Sequence, residues 1–180
     1  RESIETISKA AANTQSLASL LLGVARSQGS AKKQTDLNQL VHEVAQLMRR
    51  QLAHKQVQLV EELQEGLPAI EANGGQLQQL LINLVHNSRD AILSSRKRGC
   101  IWIRTRAQAD GVMLEVEDDG VGIPEGIREQ VFEPFFTTKE KGAGTGLGLS
   151  VCRAIAQEHG GRLRLGTSAV GTRIVLELPC

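Results

Sequence analysis

The sequence predicts a two-layer α/β sandwich, with helices on one face of a mostly antiparallel sheet. Segments with helical apolar periodicity alternate with strand-like runs in the order helix, strand, helix, strands, glycine-rich loop, helix, strands, preceded by one further amphipathic helix. Strand-like runs are joined by turn signals, as at Ala109-Asp110-Gly111. With 180 residues, 41% of them hydrophobic and 23% charged, the chain can bury a core and has a globular composition.

Residues 1–26 carry apolar or small residues at Ile4, Ile7, Ala11, Thr14, Ala18, Leu21 and Ala25, flanked by Leu17, Leu20 and Val24. Steps of three and four make this an amphipathic helix with a heptad-like seam, whose apolar face needs partner helices. A first core helix of a single domain is the plainer alternative. "SQGSAKKQTD" reads as a polar linker. Asp36 can cap a helix bearing Leu37, Leu40, Val41, Val44, Leu47, Met48 and Leu52 on one face. "VQLVEEL" alternates as a half-buried strand, ended by Gly66-Leu67-Pro68. Asn73 and two glycines open a long helix from Gln76 to about Ser95. "CIWIRTRAQ" and "VMLEVEDD" form a hairpin; a third helix runs from Leu147 to His159; "RLRLGTS" and "TRIVLELP" close the chain.

Composition narrows the function. A net charge of +1 and 2% aromatics give no basis for nucleic acid as the main partner. Cys100, Cys152 and Cys180 are far apart and form no CxxC or CxxH cluster, which points to free thiols in a reducing cytosol. No run reaches the roughly 18 apolar residues of a membrane span, so no membrane contact is expected from these residues.

Three stretches can carry chemistry. In "QLLINLVHNSRDAI", Asn83 and Asn87 lie one helical turn apart on one face. Their amide oxygens are hard, neutral ligands suited to Mg²⁺, although two exposed polar residues would look the same. In "DDGVGIP", Asp118 ends a strand and could accept from an exocyclic amine, with Ile123 as an apolar wall; alone it is also a turn with a capping Asp. In "GAGTGLGLS", alternating glycines before a helix expose N–H groups that suit a polyphosphate. It is neither a Walker A loop nor a dinucleotide fingerprint.

Together, in this order, they resemble the N, G1, F and G2 boxes of the ATP-binding domain of sensor histidine kinases: "NLVHNSRDA", "DDGVGIP", "FEPFFTTK" and "GTGLGLS". "VGTRIVLELP" is similar to the closing strand of that domain, and the resemblance spans roughly Asp36 to Pro179. It implies the Bergerat ATP-binding fold, with ATP held between the N-box helix and a mobile lid. By the same resemblance Asn87 is the Mg²⁺ ligand, and Asn83 its companion in catalysis near the metal and phosphates. Asp118 would bind the adenine amine, with Gly120, Gly122 and Ile123 shaping the pocket and Thr172 supporting it. Gly144, Thr145, Gly146 and Gly148 would line the phosphates, with Leu147 and Leu149 at the far hinge. Lys139 and Lys141 would be lid cations, and Phe132, Phe135 and Phe136 a greasy near hinge against the core. His86, Asp90 and Thr138 complete the nucleotide-contacting set. Ser88, where the family often has Ala, and Ala72-Asn73, where Gly-Asp is common, are departures.

Within the wider superfamily, hydrolysing members place a Glu where Asn83 stands. An amide cannot take a proton at neutral pH, which favours phosphoryl transfer to a protein side chain over hydrolysis. The resemblance implies a kinase that phosphorylates its own His and passes the group to an aspartate of a response regulator. His42-Glu43 matches the acceptor motif only in part, and His54, His86 and His159 match it less. The acceptor is therefore expected outside this sequence, with residues 1–28 as the second helix of a dimerisation hairpin, 29–35 a linker and 36–180 the catalytic domain. The implied parent is a homodimer acting in the cytoplasm, itself free to be membrane-anchored. An ATP-driven clamp and a protein-serine kinase share the pocket and stay as alternatives. The motif forms resemble the nitrogen-regulation and dicarboxylate-sensor branch.

Overall fold

Asp36 and Asn73 each offer a side-chain oxygen to the backbone N–H three residues on, Gln39 at 3.1 Å and Gln76 at 3.3 Å, and so start two helices. The computed structural model describes residues 31–139 and 144–180. Along these run β1 (Lys33–Thr35), α1 (Leu37–Ala53), β2 (Val57–Leu63), β3 (Ile70–Ala72), α2 (Gly74–Leu93), β4 (Gly99–Gln108), β5 (Gly111–Asp118), α3 (Gly148–Glu158), β6 (Arg162–Leu165) and β7 (Arg173–Pro179). Short 3-10 turns lie at Glu125–Ile127 and Gln130–Phe132. The amphipathic segment 1–28 lies outside the described residues.

Five strands form one sheet in the order β2-β4-β5-β7-β6. The β4–β5 hairpin, β5–β7 and β6–β7 pair antiparallel. β2 pairs parallel with β4, Val57 opposite Gly99, because α2 intervenes between them as a crossover. The inward residues Ile101, Ile103, Leu114, Val116 and Leu176 meet Val44, Met48, Leu80, Leu84 and Cys152 of the helices in one core. Among the described residues the other face carries no helix and bears a charge ladder. Arg104 bridges Glu62 (2.6 Å) and Glu117, and Arg173 reaches Glu117 at 3.1 Å. This is the two-layer sandwich the periodicities predict.

Two short strands escape the sequence patterns. Lys33–Thr35, expected in the linker, pairs antiparallel with Ile70–Ala72, so the folded unit already includes residue 33. The three cysteines are free, and Cys152 is fully buried. Among the described residues no helix is long and apolar enough to cross a membrane.

The start of α2 is held by a residue 86 positions away. Asn73-x-x-Gln76 has the form of a capping box, yet the Asn73 N–H donates to His159 Nε2 at 3.0 Å instead of to Gln76. His159 is buried and its Nδ1–H donates to the Ile155 carbonyl at 2.8 Å, which fixes the neutral tautomer. The Gln76 amide turns to Glu158 at 2.7 Å. One imidazole thus ties the end of α3 to the cap of α2. His159→Ala should lower unfolding free energy by about 2–3 kcal/mol, the cost of two unpaired buried groups. Urea denaturation checks this, and a loss under about 0.5 kcal/mol would contradict it.

Candidate functional site

Asn83, His86, Asn87 and Asp90 fall on α2 at spacings of three and four, so the helix presents them along one face. Each meets a different environment. The Asn83 carbonyl oxygen accepts from Gln79 at 3.0 Å, while its buried NH₂ has no hydrogen-bond partner of good geometry and faces the Cys152 thiol. Burial pushes that thiol up to about 12, so it stays protonated and unreactive. No hydrogen bond from another described residue engages the Asn87 amide. It lies beside Gly148, where an added Cβ would stand 3.5 Å from its nitrogen and 3.8 Å from its oxygen. Partial burial and then the Arg89 charge lower the His86 pKa, favouring a neutral ring. Burial works against the Asp90 carboxylate, but bonds from Lys139 and Arg89 outweigh it and hold Asp90 below the ordinary value.

Gly148 is also the first residue of α3. Unlike α1 and α2, this helix has no side-chain cap, with Leu147 in the N-cap position. Its leading N–H groups, at Gly148, Leu149 and Ser150, find no acceptor among the described residues. The Leu147 N–H leans on Thr145 Oγ1 at 3.4 Å, and Leu149 packs on the core. An uncapped helix start beside an unengaged amide oxygen is suited in its chemistry to an anion with a hard cation next to it.

The other end of the site is the close of β5. The Asp118 side chain is 2% exposed, and no cation pairs with it among the described residues. Its Oδ1 accepts from the Gly120 N–H at 2.9 Å and the Thr172 N–H at 3.2 Å, and the nearby Ser88 hydroxyl of α2 favours its charged form. Thr172 thus supports Asp118 through its backbone, and its carbonyl accepts from the Asp118 N–H at 2.9 Å. Gly171, with φ +77°, must be glycine: a Cβ there would lie 1.9 Å from the Asp118 carbonyl oxygen. Gly122 and Ile123 follow in the same loop, both half-buried.

Phe136, Thr138 and Lys139 lie on the segment before α3, with Phe136 half-buried and the other two exposed. The Lys139 ammonium is paired with Asp90 of α2. Gly144 comes back alongside, where a Cβ would meet Thr137 Oγ1 at 2.8 Å. Lys141 lies outside the described residues. The expectation of three Phe anchored in the core is corrected here. Phe132 packs against the core, but Phe135 is 72% exposed with φ +68°. Its N–H donates to the Gly146 carbonyl at 3.0 Å, and a Cβ on Gly146 would stand 2.4 Å from its carbonyl carbon. The loop is closed backbone to backbone, and that turn swings the Phe135 ring outward. Gly171 and Arg89 are not among the expected site residues; only the glycine's place just before Thr172 gives any signal in the sequence.

Burial raises the Asp118 pKa, and the hydrogen bonds offset it only in part. Its folded state then binds a proton more readily than the unfolded chain. The associated stability is present below the ordinary carboxylate value and is lost as pH rises through the folded value. Asp118→Asn should be more stable than the parent at neutral pH, and the two should converge as pH falls. Urea unfolding from about pH 4 to 7 tests this, and a constant difference across that range would contradict it.

Residues 72–180 match the family model of histidine kinase-, DNA gyrase B- and HSP90-like ATPases. Sensor kinase CckA of Brucella abortus (strain 2308) is 37% identical over 173 residues, covering 88% of this chain and 18% of that protein. The nucleotide-free catalytic domain of histidine kinase ThkA is 35% identical, with TM-score 0.74 over 83% of this chain and 98% of that domain. ThkA in complex with the response regulator protein TrrA aligns at 29% identity and TM-score 0.71, over 92% of this chain and 48% of that one. The chain spans less than a fifth of the Brucella relative, so its similarity is to a catalytic module of a longer protein. It belongs to the histidine kinase-, DNA gyrase B- and HSP90-like ATPase family, and its fold and sequence are similar to those of histidine kinase catalytic domains.

Proposed function

We propose that this domain binds Mg-ATP with the adenine at Asp118 and the phosphates at the start of α3, and transfers the γ-phosphoryl group to a histidine. The observation that carries it is Asn87 standing against Gly148 at the uncapped end of α3. The adenine amine donates to Asp118, while Gly120, Gly122 and Ile123 line the base. Gly144, Thr145, Gly146 and Gly148 surround the phosphates, with Leu147 and Leu149 holding the helix start. Lys139, now paired with Asp90, is within the same cluster as His86 and supplies positive charge to the phosphates once released, with Phe136 and Thr138 carrying it.

The donor set fits magnesium. Among the described residues no three His, Cys, Asp or Glu converge as a metal cage, and the Asn87 oxygen is a hard neutral donor. Mg²⁺ takes one or two protein oxygens and the rest from phosphates and water. When bound there it neutralises charge on the phosphates; Asn87 orients it. Asn83, with its oxygen committed to Gln79, buttresses this face and cannot act as a base for water.

Transfer breaks the bond between the γ-phosphorus and its bridging oxygen as a P–N bond forms to the imidazole, and ADP leaves. His159 has both ring nitrogens engaged, and His42 lies between Glu61 and Gln46, which supports an acceptor other than these. Relay to a response-regulator aspartate follows from the likeness to ThkA, solved with such a partner. Segment 1–28 is assigned to the dimerisation hairpin of a homodimeric cytoplasmic kinase, with 36–180 catalytic. The branch assignment to nitrogen-regulation and dicarboxylate sensors rests on "FEPFFTTK" and "GTGLGLS".

Asn87→Ala should weaken ATP binding about tenfold or more in magnesium and leave little further loss on chelation. Calorimetry reads this, and an unchanged affinity would overturn the metal assignment. A steady ATPase rate abolished by Asn83→Ala would favour the clamp reading. Acid-stable phosphate on a partner's serine would favour the serine-kinase one.

A further inference from the structure

Asp90 lies three residues after Asn87 on α2, so one helix face carries both, about 4.5 Å apart along the axis. Its two carboxylate oxygens have different partners. Oδ1 accepts from Arg89 Nε at 2.9 Å and from Arg89 Nη2 at 2.7 Å, a pairing within α2 itself. Oδ2 accepts from the Lys139 ammonium, 49 positions along the chain. One oxygen thus has a partner fixed beside it on the helix, and the other holds a group brought by a different segment.

Lys139 already lies along the wall of the site. Its stem runs against Gly144, where a Cβ would stand 3.1 Å from the Lys139 Cδ, and the glycines that follow lead to Gly148 beside Asn87. The ion pair is open to solvent, with the Lys139 side chain 37% and the Asp90 side chain 32% exposed, so it is weak enough to exchange. Burial works against the Asp90 charge, yet the Lys139 and Arg89 bonds together hold its pKa below the ordinary value. The carboxylate is therefore a charged competitor for the ammonium at neutral pH. Once Lys139 turns away, Arg89 still engages Oδ1 and water reaches Oδ2. No buried, unpaired charge is left behind, and the exchange avoids the cost such a charge would impose.

We propose that the Asp90–Lys139 pair is an autoinhibitory contact, in which Asp90 withholds Lys139 from the nucleotide phosphates and Arg89 satisfies the carboxylate after the ammonium leaves. This rests on the reading that the phosphates lie at the start of α3. Asp90 then acts on the nucleotide through Lys139 and not by touching it. Binding must break an ion pair before the ammonium can meet a phosphate. A ligand therefore gains from Lys139 only the difference between the two contacts. A nucleoside without phosphates leaves the pair closed and gains nothing from it.

The test is calorimetric ATP affinity in magnesium for the whole chain, for Asp90→Asn, for Lys139→Ala and for the double variant. Asp90→Asn keeps the shape of the side chain and removes its charge. It should bind ATP about two- to fivefold more tightly than the parent, the worth of an exposed ion pair that no longer has to be broken. Lys139→Ala should bind more weakly than the parent. Adding Asp90→Asn to it should change affinity by less than about 1.5-fold, because the ammonium is gone and Arg89 already neutralises the carboxylate. Weaker or unchanged ATP binding by Asp90→Asn would overturn the proposal, as would unchanged binding by Lys139→Ala. Equal tightening by Asp90→Asn in both backgrounds would overturn it too, since that is simple repulsion between carboxylate and phosphate. A parent that binds no ATP would instead overturn the phosphate-site reading, and this proposal with it.

Discussion

Burying a carboxylate without a cation beside it is costly, and this domain does so at Asp118. The cost is offset in part by the groups gathered around it: two backbone N–H groups, from the loops after β5 and before β7. Those loops could not approach if Gly171 or Gly120 carried side chains. The arrangement fixes where α2 lies relative to the sheet, and so fixes everything else α2 carries. Unsatisfied electrostatics of this kind mark a site rather than a core.

α2 is accordingly the common support. Its first turn is held through Asn73 by His159 at the end of α3, and its later turns present Asn87 to the start of that same helix. Both ends of α3 are thus registered against one partner. The only described α-helix without a side-chain cap begins beside Asn87, where bound phosphate would complete it. The loop ahead of it hangs from a neck made of backbone, the Phe135–Gly146 contact, which asks nothing of side-chain packing. Lys139 sits on the near side of that loop, held by Asp90. Nucleotide phosphate would compete with the carboxylate for the same ammonium.

Local pattern made most of this legible. The three helices carry apolar stripes long enough to be unambiguous, and their read limits fall within two residues of those observed. β4 and β5 follow from alternation and one turn. The site residues were legible as a set because the motifs occur in order, though each alone was not. What stayed hidden is non-local. β1 and β3 are three residues each and exist only as backbone pairs. The Asn73-x-x-Gln76 pattern promised a self-contained cap, but His159 displaces half of it from 86 residues away. Phe135 looked like an anchor because it is apolar, and only the close approach of Gly146 explains its exposure.

The most direct measurement is a crystal structure of this chain with magnesium and a non-hydrolysable ATP analogue. The adenine amine should lie within about 3 Å of the Asp118 carboxylate, the metal on the Asn87 oxygen, and phosphate oxygens on the N–H groups of Gly148 and Leu149. A nucleotide bound elsewhere, or bound here with its base turned away from Asp118, would contradict this reading.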